Sequence, residues 1–247
     1  MLLSALAGWT ALLPAAASVA IAAGGGALGA VGATRGRDAA GLVLHFSAGA
    51  LLTVTLLQIL PEAAEASGWM LAILTALCAW LACAAVGRRL GGVCPGCASH
   101  SQAASIRVGF GLMAAVAVHC LLDGLPLAEG RHGDLFTWAL LAHKLPEGMA
   151  CGAALRNAGL STPRAVGLTL LVQAFTLLGA TVGVLAGISA TPLLGVGLAL
   201  TGGAYLYLTT ATLAGIAGSL RARSHGLAAG FGAIAIAAAT LALGVAH

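Results

Sequence analysis

Apolar stretches of bilayer length follow one another along almost the whole chain, broken only by short polar turns. A helix needs about 20 apolar residues to cross the hydrocarbon core of a membrane, so this pattern commits the chain to a bundle of spanning helices. Only 7% of the 247 residues are charged and 60% are hydrophobic, against about 25% charged in soluble domains. A soluble domain has no room beside such a bundle, and residues 1–247 read as one all-α integral membrane domain. The apolar stretches give eight transmembrane helices, at about residues 2–23, 41–60, 69–86, 104–127, 135–155, 165–187, 193–219 and 226–246. Ala15-Ala16-Ala17 has the look of a signal-peptide cleavage site, but no basic residue precedes Arg35. A secretory signal carries a basic leading region, so the first stretch reads as a retained helix.

The few charges orient the bundle. Arg35 and Arg37 follow helix one, Arg88, Arg89 and Arg107 surround the third connection, Arg156 and Arg164 the fifth, and Arg221 and Arg223 the seventh. The even-numbered connections hold Glu62, Glu65, Glu129 and Asp134, with Arg131 their one basic residue. Positive residues stay on the cytoplasmic side, which puts both termini outside and makes residues 88–103 a cytoplasmic loop. The net charge of +4 is scattered over these turns, and nothing supports nucleic acid binding.

Within this apolar background, two short runs carry the chemistry. Helix four holds His119-Cys120-Leu121-Leu122-Asp123-Gly124, and helix five holds His143-Lys144-Leu145-Pro146-Glu147-Gly148. In each, a histidine and an acid stand four apart and so share a helix face. Measured from the external ends of their helices, His119 and His143 lie at equal depth, which brings the two pairs to one level. Ionisable groups inside a membrane are costly and mark functional sites; imidazole with carboxylate suits a borderline cation such as zinc. His119, Asp123, His143 and Glu147 are therefore the expected metal ligands. Pro126 and Pro146 remove ladder donors, a break tolerated where helices line a cavity.

Other polar residues are secondary. Cys120 adjoins the site and faces either it or a neighbouring helix. Gln58 and His45 of helix two are pathway candidates, though a lone histidine on an apolar helix more often packs with a hydrogen bond. Thr176 and Gln173 of helix six offer oxygen ligands or bond to nearby backbone. The Cys94-Pro95-Gly96-Cys97 run with His100 resembles half of a zinc site, short of the four ligands a closed site needs. The remaining cysteines lie in apolar segments and form no disulfide framework. Pairs such as Gly25/Gly29 and Gly226/Gly230 allow close helix approach and read as packing.

Taken together, these residues resemble the ZIP family of divalent metal transporters (zinc- and iron-regulated transporter-like proteins). His119, Asp123 and Gly124 match that family's motif on helix four; His143, Pro146, Glu147 and Gly148 match its motif on helix five. Phe46-Ser47-Ala48-Gly49, Leu60-Pro61-Glu62-Ala63, Leu178-Gly179-Ala180 and Tyr205-Leu206-Tyr207 are further similarities. The resemblance implies a ZIP-like bundle of eight helices in the cell membrane, with a metal-binding loop between helices three and four. Three positions depart from the family. Cys120 replaces a frequent asparagine, Lys144 an acid or amide, and Thr176 a glutamate of some bacterial members. In the family those positions help to hold a second metal; here they lose ligands and gain an ammonium, which implies a mononuclear site with Lys144 in place of the second ion.

The expected function is transport of zinc, or of iron, manganese or cadmium, into the cytoplasm, with the metal as cargo and no cofactor. The alternatives are an intramembrane zinc-dependent hydrolase, against which stands the lack of a His-Glu-x-x-His pattern, and a metal sensor that transports nothing. Divalent ions and the bilayer are the expected partners, and a homodimer is left open.

Overall fold

The structure, a computed structural model, describes residues 12–89, 102–127, 135–186, 192–214 and 222–242. All secondary structure among these residues is helical, in eight segments. They are α1 (Leu12–Thr34), α2 (Arg37–Val54, continued by Thr55–Ile59 and Leu60–Ser67), α3 (Trp69–Arg89) and α4 (Gln102–Leu127), then α5 (Leu135–Asn157), α6 (Thr162–Gln173 with Phe175–Ala186), α7 (Pro192–Ala214) and α8 (Ala222–Ala242). Six of them are long and apolar enough to cross a membrane; α4 contributes a shorter apolar stretch, Gly109–Leu125. The remaining one, α5, carries His143, Lys144 and Glu147 in its middle. The chain is a multi-pass membrane protein.

Two helices run past their expected ends, each for a physical reason. The first continues through Gly24-Gly25-Gly26 to Thr34, because neighbouring helices lie against it there, α5 at Gly25 and α6 at Gly26, while Gly24 faces open space. A Cβ at Gly25 would run into Leu145 O, and one at Gly29 into Met149 O. From the other side, Cβ atoms at Gly148 and Gly152 would strike Ala22 O and Gly26 O. Backbone meets backbone along this crossing, as small residues allow in membranes. The second helix continues past Pro61 to Ser67 through a π-helical turn over Thr55–Ile59, in which Leu60 N–H donates to Thr55 O. Pro61 has no N–H to give and its ring crowds the carbonyl four residues back; the wider turn accommodates it. Gly68, at φ 87°, then reverses the chain into α3.

Similar crossings join the other helices. Gly49 and Gly232 meet the backbones of Ala229 and Phe46 where α2 crosses α8, and Gly203 meets Ala76 O where α7 crosses α3. Gly124 and Gly179 do the same for α4 and α6. The core between them is largely alanine, with Val54, Leu112, Val116, Leu155 and Tyr205. The Gly148 and Gly124 of the two histidine runs are therefore structural: they draw α1 and α6 onto the helices that bear the site.

Candidate metal centre

α4 and α5 each place a histidine eight residues from the end that faces their connection, counting from Leu127 to His119 and from Leu135 to His143. The equal depth expected from the sequence is what the fold delivers. His119, Asp123, His143 and Glu147 converge, with one ligand atom from each lying within 4.8 Å of all the others. His119 Nε2 stands 3.0 Å from Asp123 Oδ2 and 3.6 Å from Glu147 Oε2. For His143 Nε2 the same two distances are 3.3 Å and 3.8 Å. A tetrahedral ion with ligands at about 2.0–2.1 Å has ligand-to-ligand edges of about 3.3 Å. Four of the six donor-to-donor distances are thus close to such edges, and none of the four residues is more than 5% exposed.

Lys144 completes the cluster. Its Nζ lies 2.7 Å from Asp123 Oδ2 and donates to Glu147 Oε2 at 3.0 Å. Both are oxygens that the histidines also face, so the ammonium contacts two of the four donors. The side chain is fully buried. A buried charge persists only with partners of opposite sign, and the two carboxylates supply them.

The second carboxylate oxygen of Glu147 is held from α6. Gln173 Nε2 donates to Glu147 Oε1 at 2.8 Å, and the Cys120 thiol lies within reach of Gln173 Oε1 at 3.2 Å and Glu147 Oε1 at 3.3 Å. A thiol has one hydrogen, so these two are alternative acceptors. Lys144 Nζ also approaches Cys120 Sγ at 3.5 Å. Cys120 therefore faces the site and not a neighbouring helix. Gln173 thus holds a carboxylate through its amide nitrogen, from the residue just before the break of α6 at Ala174. Tyr205 of α7 forms a wall, its ring centroid 4.7 Å from that of His119.

Among the described residues, the other expected ones make no hydrogen bond to the four donors. Gln58 Nε2 donates to Thr240 Oγ1 of α8 at 3.1 Å. Thr176 is buried with no hydrogen-bond partner for its hydroxyl. His45 packs with His225 of α8. Cys94, Cys97 and His100 lie outside the described residues. Sequence reasoning missed the roles of Gln173 and Tyr205 because both arise from long-range packing. The one signal was an amide and a phenol at membrane depth.

Residues 95–243, well over half of the chain, match the family model described as ZIP Zinc transporter. A comparison with curated proteins returns no match.

Proposed function

The chain belongs to the ZIP zinc transporter family, and we propose that it carries divalent cations into the cytoplasm through the His119, Asp123, His143 and Glu147 cluster. Zinc is the first cargo, with iron, manganese and cadmium as competitors for the same donors. Transport is this family's activity, which removes the hydrolase reading. The observation that carries the proposal is the convergence of two imidazoles and two carboxylates at 3.0–3.8 Å. Mixed nitrogen and oxygen donors replace the hydration shell, yet they hold an ion less firmly than a closed cysteine cage. A transported ion has to leave again.

The direction comes from the arginines of the odd-numbered connections, which keep that side in the cytoplasm; the membrane is then the cell membrane and residues 88–103 its cytoplasmic loop. The ion meets Asp123 and Glu147 from outside, exchanges water for imidazole, and departs toward the arginine-rich side as α4 and α5 move against the rest. Lys144 takes the part of a second ion and leaves a mononuclear site.

The deciding experiment measures radioactive zinc entry into liposomes that hold the purified protein, beside a His143→Ala/Glu147→Ala variant. Entry saturates in the wild type and is lost in the variant. Zinc binding with no entry in the wild type sinks the transport reading and returns the sensor.

A further inference from the structure

A second pair of imidazoles stands away from the metal centre. The rings of His45 (α2) and His225 (α8) stack with centroids 4.5 Å apart and planes 12° from parallel. His45 is 3% exposed, and its Nδ1 lies 2.6 Å from Gly41 O, one turn back in the same helix. A carbonyl only accepts, so Nδ1 carries the hydrogen and Nε2 keeps its lone pair. That Nε2 is buried and makes no hydrogen bond of good geometry, although the backbone of Thr212 on α7 stands close to the ring; both nitrogens of His225 are buried and unpartnered. Gly41 serves both rings. Its carbonyl fixes the tautomer of His45, and its missing side chain seats His225, whose Nε2 would stand 3.0 Å from a Cβ there.

Unpaired polar atoms in an interior are costly and call for an explanation; here three nitrogens gather in one place. The His45 arrangement, with one ring nitrogen on a backbone carbonyl and the other presented free, is how metal-ligating histidines are oriented. A cavity also lies between the two places. This cavity of about 40 Å³ runs among α2, α4, α5 and α7, bounded by Tyr205 and Ala150 near the metal centre and by Leu44 and Thr212 at the other end. Tyr205 packs on His119, and Leu44 adjoins His45 in the chain. The lining is mostly aliphatic, so it offers a desolvated ion little, and the imidazoles beyond it are the next nitrogen donors.

We propose that His45 and His225 form a second divalent-cation site, a weak relay that takes the ion after it has left the metal centre. Two imidazoles leave the other coordination positions to water, which suits an ion in passage. Parallel rings cannot aim both lone pairs at one point, so His225, which is only half-buried, swings out of the stack as the ion binds. The relay role rests on the transport reading above; the binding site itself does not.

The test is zinc binding by the purified full chain in detergent, with the metal centre disabled by His143→Ala/Glu147→Ala. Equilibrium dialysis finds residual zinc binding, and a further His45→Gln or His225→Gln weakens it by at least about tenfold. X-ray absorption of the zinc bound to the disabled chain, now also carrying His119→Ala and His100→Ala and with His45 and His225 intact, shows imidazole scattering; this reading stands even where a glutamine variant fails to fold. No residual binding, binding that neither glutamine weakens, or a spectrum without imidazole overturns the site. Zinc binding by the pair in a protein that admits no zinc to liposomes keeps the site and removes its relay role, so the two failures are told apart.

Discussion

At the scale of single residues, Lys144 sets the charge of the site. With its ammonium and both carboxylates ionised, Asp123, Glu147 and Lys144 sum to −1, since −2 + 1 = −1. One divalent ion brings the cluster to +1, whereas two bring it to +3. In a low-dielectric interior the second is far the costlier state, which is the physical case for a single ion. The ammonium also draws on Asp123 Oδ2 and Glu147 Oε2, two of the proposed metal donors. Lys144→Met keeps the length of the side chain and removes that competition. Its zinc affinity, read by equilibrium dialysis, rises about tenfold or more, equivalent to about 1.4 kcal/mol, and its maximal flux falls because release is slower. An unchanged affinity refutes the role given to Lys144. The sequence made this residue legible because it lies three positions from Glu147 on one helix, a spacing that fixes proximity. The same local rule exposed His119 with Asp123 and His143 with Glu147. It could not expose Gln173, which reaches Glu147 across 26 positions of sequence, or His225, which meets His45 only because α8 folds back on α2.

At the scale of elements, glycines decide how closely the helices that bear the site are held. α5 contributes His143, Lys144 and Glu147, and its position is set by contact with α1 at Gly25, Gly29, Gly148 and Gly152. A side chain at Gly29 has nowhere to go, because the obstacle is the backbone of Met149 and not a side chain that can turn aside. Gly29→Val therefore pushes α1 off α5. Thermal unfolding in detergent shows a loss of at least about 1–3 kcal/mol, and zinc transport drops with it. Gly24→Ala, on the same helix with nothing within 4 Å of the added carbon, is neutral or slightly stabilising, as alanine is favoured over glycine in helices. Equal behaviour of the two variants contradicts the close crossing. Hydropathy located the helices because burial in lipid is a property of whole segments. It misplaced the ends of α1 and α2, where glycine and proline ordinarily signal a stop. Here the glycines meet a neighbour and a π-helical turn absorbs the proline. The break of α6 at Ala174 had no local marker, neither glycine nor proline standing there.

At the scale of the whole molecule, the question is which side each end of the pathway faces. The stacked histidines stand near the start of α2 and of α8, and the Leu44 and Thr212 end of the cavity lies by the start of α2 and the end of α7. These ends adjoin the first and seventh connections, which hold arginines, so on the proposed orientation this is the exit. The end of α2 and the start of α3 then face outward, beside Glu62 and Glu65. The two exposed positions Thr34 and Trp69 report the two sides. With Cys78, Cys94 and Cys97 replaced by serine, Trp69→Cys reacts with a membrane-impermeant maleimide in intact cells. Thr34→Cys reacts only once the membrane is opened. The reverse pattern turns the protein over, so that zinc would leave the cell by the same route and His45 and His225 would be the first site the ion meets from outside. The chemistry of each site would be unchanged by such a reversal; the order in which an ion visits them would not.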